Sequence, residues 1–215
     1  MNQCFNPLKE STQRKKEEAR QRKRRHILDS AEHIILQEGL SDFSMDAVSK
    51  KAEIAKGTLY LYFKSKEDII AQLTNKARES LLELFIQEAG KQPDVLDQIR
   101  AILWGNFHFN KKKPIYNDLV AFYEANLEQE NTEALKVTGE KIHNFVLSIL
   151  QEARRQKVIK PELDLATFSL TMWGMSVGIM QLTQTKAELI EGFTGKKEEE
   201  FYHSYVEIVV NGIKA

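Results

Sequence analysis

Ser44, Lys56, Gly57, Thr58, Tyr60, Leu61, Tyr62 and Lys66 stand close together in one short stretch of this 215-residue chain. Their spacing matters more than their number. With Leu59 at zero and about 100° per residue along a helix, Phe63 falls near +40° and shares the inward face. Gly57, Thr58, Tyr60 and Leu61 fall near ~160°, ~−100°, ~+100° and ~−160° on the same count. A helix facing only water has no use for a glycine, a leucine and tyrosines on its outer side. A helix lying in the major groove of a duplex does. Glycine lets the backbone approach phosphate and lysine neutralises it. Threonine and tyrosine supply hydroxyls, and leucine offers apolar contact to a base.

The elements that must hold this face follow from the flanking residues. Ser44 is an N-cap, its hydroxyl placed to accept from a backbone N–H one turn in. Val48 and Ala52 form one apolar stripe on a short helix, and residues 53–55 leave room only for a turn. The second short helix spans about 56–62. Ser65 caps a third, with Asp68 three residues on as an imperfect capping box. Before the motif, Ile27, Leu28, Ala31, Ile34 and Ile35 mark a helix over about 24–38, stopped by Gly39. Phe43 is placed to pack under the next helix.

Residues 56–67, Lys-Gly-Thr-Leu-Tyr-Leu-Tyr-Phe-Lys-Ser-Lys-Glu, resemble the DNA-binding signature of the TetR family of bacterial transcriptional regulators. The match covers about 24–70; the rest of the chain agrees in length and helical pattern. The resemblance implies a two-fold dimer, a C-terminal ligand-binding helical domain, and repression relieved by a small molecule. It also implies a seam in which the last two long helices pair with their copies as a four-helix bundle.

The chain has 31 Lys/Arg against 31 Asp/Glu, but the charge is unevenly placed. Residues 1–70 hold 14 basic and 11 acidic residues, and 14–25 alone hold eight basic and two acidic. That basic run, Arg24 included, lies beside the motif, where phosphate would be. It reads either as an extension of the first helix or as an arm on the phosphates or in the minor groove. Residues 1–13 show no period, so 1–23 is expected to be a flexible basic arm, 24–70 the helix-turn-helix domain and 71–215 the ligand-binding and dimerisation domain.

In 71–215 the apolar period is helical throughout. Helices are expected over about 65–89, 94–109, 114–128, 131–157, 164–186 and on to about 212, with a loop at 192–195. The fold class is all-α, with about nine helices. Bulky aromatics crowd the middle of this region. Most are ordinary core. As a group, Trp104, Phe107, His108, Tyr123, Phe145 and Trp173 suggest an apolar cavity, with Asn106, His143 and Gln181 as further polar points. Gly174 and Gly178 sit one turn apart on a nearly all-apolar helix. Each costs about 1 kcal/mol relative to alanine, so they mark either a close helix–helix seam or room for a ligand. Tyr205, on the last helix, joins the seam that the resemblance implies.

Other classes are disfavoured. No nucleophile–base pattern or phosphate loop is present, so an enzyme is not expected and no cofactor is implied. His108 and His143 lack a carboxylate at ligand spacing, so no metal site is expected. Cys4 is the only cysteine and excludes an intrachain disulfide, in keeping with a cytoplasmic setting. Leu165–Thr185 is uncharged but too polar for a convincing membrane span. The reading is a ligand-responsive regulator, a repressor, binding a palindromic operator as a homodimer and released by an apolar or amphipathic molecule. The alternatives are a DNA-binding dimer controlled by a protein partner, and a helical enzyme or scaffold with an accidental motif.

Overall fold

The computed structural model describes residues 7–125 and 132–215. Among them run ten helices: α1 (Pro7–Glu38), α2 (Met45–Lys51), α3 (Lys56–Tyr60), α4 (Lys66–Gly90), α5 (Val95–Lys112), α6 (Ile115–Ala125), α7 (Thr132–Arg155), α8 (Leu165–Thr185), α9 (Ala187–Thr194) and α10 (Glu198–Ile213). No strand occurs among the described residues; one isolated antiparallel bridge joins Ile159 and Lys214. The fold is all-α, and the chain divides into two compact units between Leu73 and Thr74. Cys4, residues 126–131 and the Tyr123 side chain lie outside the described residues.

The first unit departs from expectation at its start. α1 begins at Pro7 rather than near residue 24, so the basic stretch continues the helix instead of forming an arm. Lys, Arg, Gln and Glu are strong helix formers. Pairs one turn apart add support, with Arg14 3.5 Å from Glu18 and Gln21 donating to Glu17 at 2.6 Å. Apolar periodicity begins only near Ile27, which is why the pattern alone started the helix late. Gly39 ends α1 in the left-handed region at φ 80°, its N–H reaching the Ile35 carbonyl at 3.0 Å. Ile27, Ala31, Ile34, Phe43, Val48, Leu59 and Phe63 are buried together in this unit's core.

The second unit is a helical core around α5, α7, α8 and α10. Asp94 caps α5, accepting from Leu96 and Asp97 N–H at 2.8 and 3.1 Å. Asp164 caps α8, accepting from Ala166 and Thr167 N–H at 3.1 and 3.2 Å. Those bonds, with the Thr167 hydroxyl first, hold the Asp164 carboxyl below its ordinary pKa. α5 is tied to α10 by Arg100, which meets Glu207 through two N–H donors at 2.8 and 3.2 Å. α9 was not foreseen, since the stretch before Gly195 read as the end of α8 and a loop. Only Ile190 is buried in this eight-residue helix, too little for a visible period.

α8 is the one described helix long and apolar enough to cross a membrane, yet its two faces differ. Ser169, Met172, Ser176, Met180 and Thr183 are buried, while Leu170, Trp173 and Met175 are exposed. A helix with one face bound into a protein core is only half available to another surface.

Candidate functional site

The first unit positions α3 by its interior. Leu59 is fully buried and Phe63 nearly so, and the Phe63 and Leu59 backbones are joined at 3.0 Å. The turn before α3 passes through Glu53 in the left-handed region at φ 52°. His26 Nε2 lies 3.2 Å from the Ala52 carbonyl, fastening that turn to α1. Ser44 caps α2 by accepting from Ala47 N–H at 3.2 Å.

With its inner face fixed, this five-residue helix leaves its outer face bare. Tyr60 is 47% exposed and Leu61 78% exposed. Lys56, Gly57 and Lys66 are exposed too, and Thr58 and Tyr62 are half-buried. A Cβ added at Gly57 would meet nothing within 4 Å. The glycine is therefore not required by packing inside the unit. Lys56 bonds Asp46 on α2 at 2.6 Å, and that contact raises its pKa. Both partners face solvent, so the pair contributes little to stability, and Lys56 is readily lent to another anion.

Arg24 has a different place from the one its position in the basic run suggested. Its guanidinium lies 5.0 Å from the centre of the Phe63 ring and donates to Gln72 Oε1. Gln72 Nε2 donates to Asp68 Oδ1 at 2.6 Å, and Asp68 Oδ2 accepts from Lys64 N–H at 3.0 Å. Asp68 is buried, and its own N–H donates to Ser65 Oγ at 3.3 Å. The capping box is thus shifted by one residue. Arg24 belongs to a polar relay that fixes the turn after α3, because its side chain is engaged before any phosphate arrives. Gln72 and Asp68 were missed as members of that relay; their four-residue spacing was the available signal.

The second unit contains a cavity of about 540 Å³. Its walls come from α4 to α8, with Phe85, Leu103, Asn106, Asn110, His143 and Met172 among them. Trp173 lines it and is half exposed; Lys136 and Glu140 are exposed lining residues on α7. His143 Nδ1 lies 3.1 Å from Ser169 Oγ, and Ser176 Oγ lies 2.9 Å from Tyr205 Oη.

Of the aromatics expected at a cavity, Trp173 lies there, and Trp104, Phe107, His108 and Phe145 do not. The helical angle explains it. With Leu103 at zero, Asn110, Ile99 and Asn106 fall within about 60° on one side, while Phe107, Trp104 and His108 fall near ~40°, ~100° and ~140° on the other. Within that second arc Phe107 and Trp104 pack on α10, and His108 is exposed. Phe107 and Tyr202 have ring centroids 4.6 Å apart, and Trp104 and Tyr202 5.4 Å. The Tyr202 hydroxyl donates to the Leu103 carbonyl at 2.8 Å, and burial pushes its pKa up. Phe145 is turned similarly away on α7. Gln181 is exposed and not part of the cavity.

Gly174 and Gly178 point away from the cavity, and an added Cβ at either would meet nothing within 4 Å. Neither glycine lines that cavity. Tyr205 is 6% exposed, with its hydroxyl also donating to the Met172 carbonyl at 3.3 Å. It is a core residue of this chain and so presents little surface to the seam that the resemblance implies. Asn110 was missed altogether. Its signal was legible: Ile99, Leu103, Asn106 and Asn110 continue one buried face into two amides. No group of three His, Cys, Asp or Glu side chains comes together among the described residues.

Residues 27–73 match the family profile described as bacterial regulatory proteins, tetR family. The chain is 24% identical over 193 residues to the fatty acid metabolism regulator protein of Bacillus subtilis (strain 168), covering 87% of this chain and 93% of that protein. It is 33% identical over 91 residues to the HTH-type transcriptional regulator AcrR of Shigella flexneri, covering 42% of each. Among solved structures, FadR from Bacillus subtilis in complex with stearoyl-CoA aligns with a TM-score of 0.65 at 21% identity, over 87% of this chain and 98% of that one. At that identity the likeness establishes the fold.

Proposed function

We propose, on the premise that this chain belongs to the TetR family of bacterial transcriptional regulators, that it is a cytoplasmic repressor holding a palindromic operator as a homodimer. An apolar or amphipathic small molecule entering the second unit releases it. One observation carries the first half: α3 is anchored by a fully buried Leu59 while Tyr60 and Leu61 are left in solvent. In the proposed complex Thr58, Tyr60 and Leu61 reach base edges, and Gly57 brings the backbone near phosphate. Lys56, Lys66, Tyr62 and the Ser44 hydroxyl contact the phosphate backbone. The cavity supports the second half, with Trp173 at its exposed part. The relative solved with stearoyl-CoA makes a molecule bearing an acyl chain a first candidate to try. The bare glycine face of α8 supports a dimer seam at Gly174 and Gly178.

Release follows only if the effector prefers a form of the dimer in which the two α3 helices are mis-spaced for DNA. By linkage, operator and effector must weaken each other's binding by one factor. Selection from random duplex DNA should return a pseudo-palindrome with half-sites roughly 34–36 Å apart. With three or four phosphate contacts per subunit, log K should fall with log salt at a slope of about −5 to −7. A flat salt dependence or an asymmetric consensus would end this reading. Calorimetry of stearoyl-CoA with and without operator tests the coupling, and equal affinities would show that the cavity is no switch. Gly178→Leu should sediment as a monomer with weak operator binding, since nothing inside the protomer opposes the new side chain.

A further inference from the structure

The cavity wall holds one polar atom that the protein leaves unsatisfied. Asn110 is 2% exposed and lines the cavity from α5. Its Nδ2 turns back along the helix and donates to the Asn106 carbonyl at 2.8 Å and to Asn106 Oδ1 at 3.2 Å. Its Oδ1 has no hydrogen-bond partner, the only such buried side-chain atom among the described residues. The amide orientation is fixed by chemistry: a flip would put Oδ1 against two acceptor oxygens. A buried acceptor without a donor is costly, and buried polar groups are otherwise paired almost everywhere. Of the other polar wall groups, Ser169 is engaged with His143, Ser176 with Tyr205 and Arg78 with the Leu135 carbonyl, while Lys136 and Glu140 face solvent. Asn110 Oδ1 is the buried acceptor on this wall that the fold leaves unpaired, and because it is closed to solvent a donor reaches it only as the wall side chains give way.

We infer that the effector carries a neutral hydrogen-bond donor, a hydroxyl or an amide N–H, that meets Asn110 Oδ1 inside the cavity. This deepens the ligand-responsive reading above and rests on it. The rest of the effector is apolar, to match Phe85, Leu103 and Met172 on the same walls. A carboxylate or ether oxygen at this position would set acceptor against acceptor and be rejected. A buried site built to bond a donor discriminates strongly against an analogue lacking it, because the site's own group is then left unpaired.

The test uses the full-length protein and matched probes: dodecanol, its methyl ether, dodecane and dodecanoate. Binding is followed by tryptophan fluorescence, since Trp173 lines the cavity, and by thermal stabilisation. Dodecanol should bind about tenfold more tightly than the ether or the alkane, with dodecanoate no better than the ether. In Asn110→Leu the advantage of the alcohol over the ether should fall to about onefold while the ether still binds. Equal binding of alcohol and ether to the unaltered protein overturns the inference and leaves the cavity reading standing. A trapped water satisfying Oδ1 for every probe would give that same equality. Binding of none of the probes overturns both. The comparison on the unaltered protein decides the matter even if the variant fails to fold.

Discussion

The two units place their unsatisfied chemistry on opposite kinds of surface. In the first, a helix of five residues is pinned from below by Leu59 and carries exposed Tyr60 and Leu61. In the second, α5 buries its amides at a cavity wall and its aromatics against α10. A projecting face is defined by what the sequence puts on one side of one helix. A cavity is defined by what five helices fail to fill. Changes on the projecting face should therefore alter recognition without touching stability, and changes beside the cavity should mix the two.

The largest expected effect sharpens that contrast. Gly57→Leu should abolish operator binding while the melting temperature holds or rises, because no atom lies within 4 Å of the new Cβ and helix propensity improves by up to about 1 kcal/mol. Fluorescence anisotropy on a selected operator and a melting curve check it together. A variant that melts early would show the glycine to be structural. Next comes Phe107→Ala, which should cost about 3–5 kcal/mol of stability, since the ring packs on Tyr202 in the core. Chemical denaturation measures the loss. A stable variant that has lost only its ligand response would restore Phe107 to the pocket and erase the distinction between the two arcs of α5.

Smaller effects divide labour within the motif. Thr58→Ala or Tyr60→Ala should shift base preference by about 1–3 kcal/mol per lost contact. Lys66→Ala should weaken binding to all sequences alike. Competition among operator variants separates the two, and a uniform loss from Tyr60→Ala would move it to the phosphate group. The smallest concerns acid. Arg100 holds the Glu207 carboxyl below its ordinary pKa, chiefly through their hydrogen bond. The unfolded chain then binds this proton first, so the pair's stabilisation is present above about pH 4.3 and lost as pH falls through the lower folded value. Arg100→Met should remove that acid sensitivity and shift the neutral melting temperature by about 2 °C or less, both partners being partly exposed. Identical acid-melting curves for the two proteins would leave the pair without a role in stability.

The sequence by itself determined the helical class, the two short helices of the motif and the outward face of α3, because these depend on spacings within a few residues and on caps such as Ser44 and Ser65. Gly39 likewise declared its left-handed turn. It did not reveal that residues before 24 belong to α1, since helix propensity without apolar period leaves no stripe to read. Nor did it show Arg24 committed to Phe63 and Gln72, a contact 48 residues long in sequence. The cavity was decided by tertiary structure alone. Every aromatic on α5 looks equally fit for a pocket until α10 takes one arc of the helix, burying Phe107 against Tyr202, and leaves the other arc, with Asn106 and Asn110, facing space that no side chain fills.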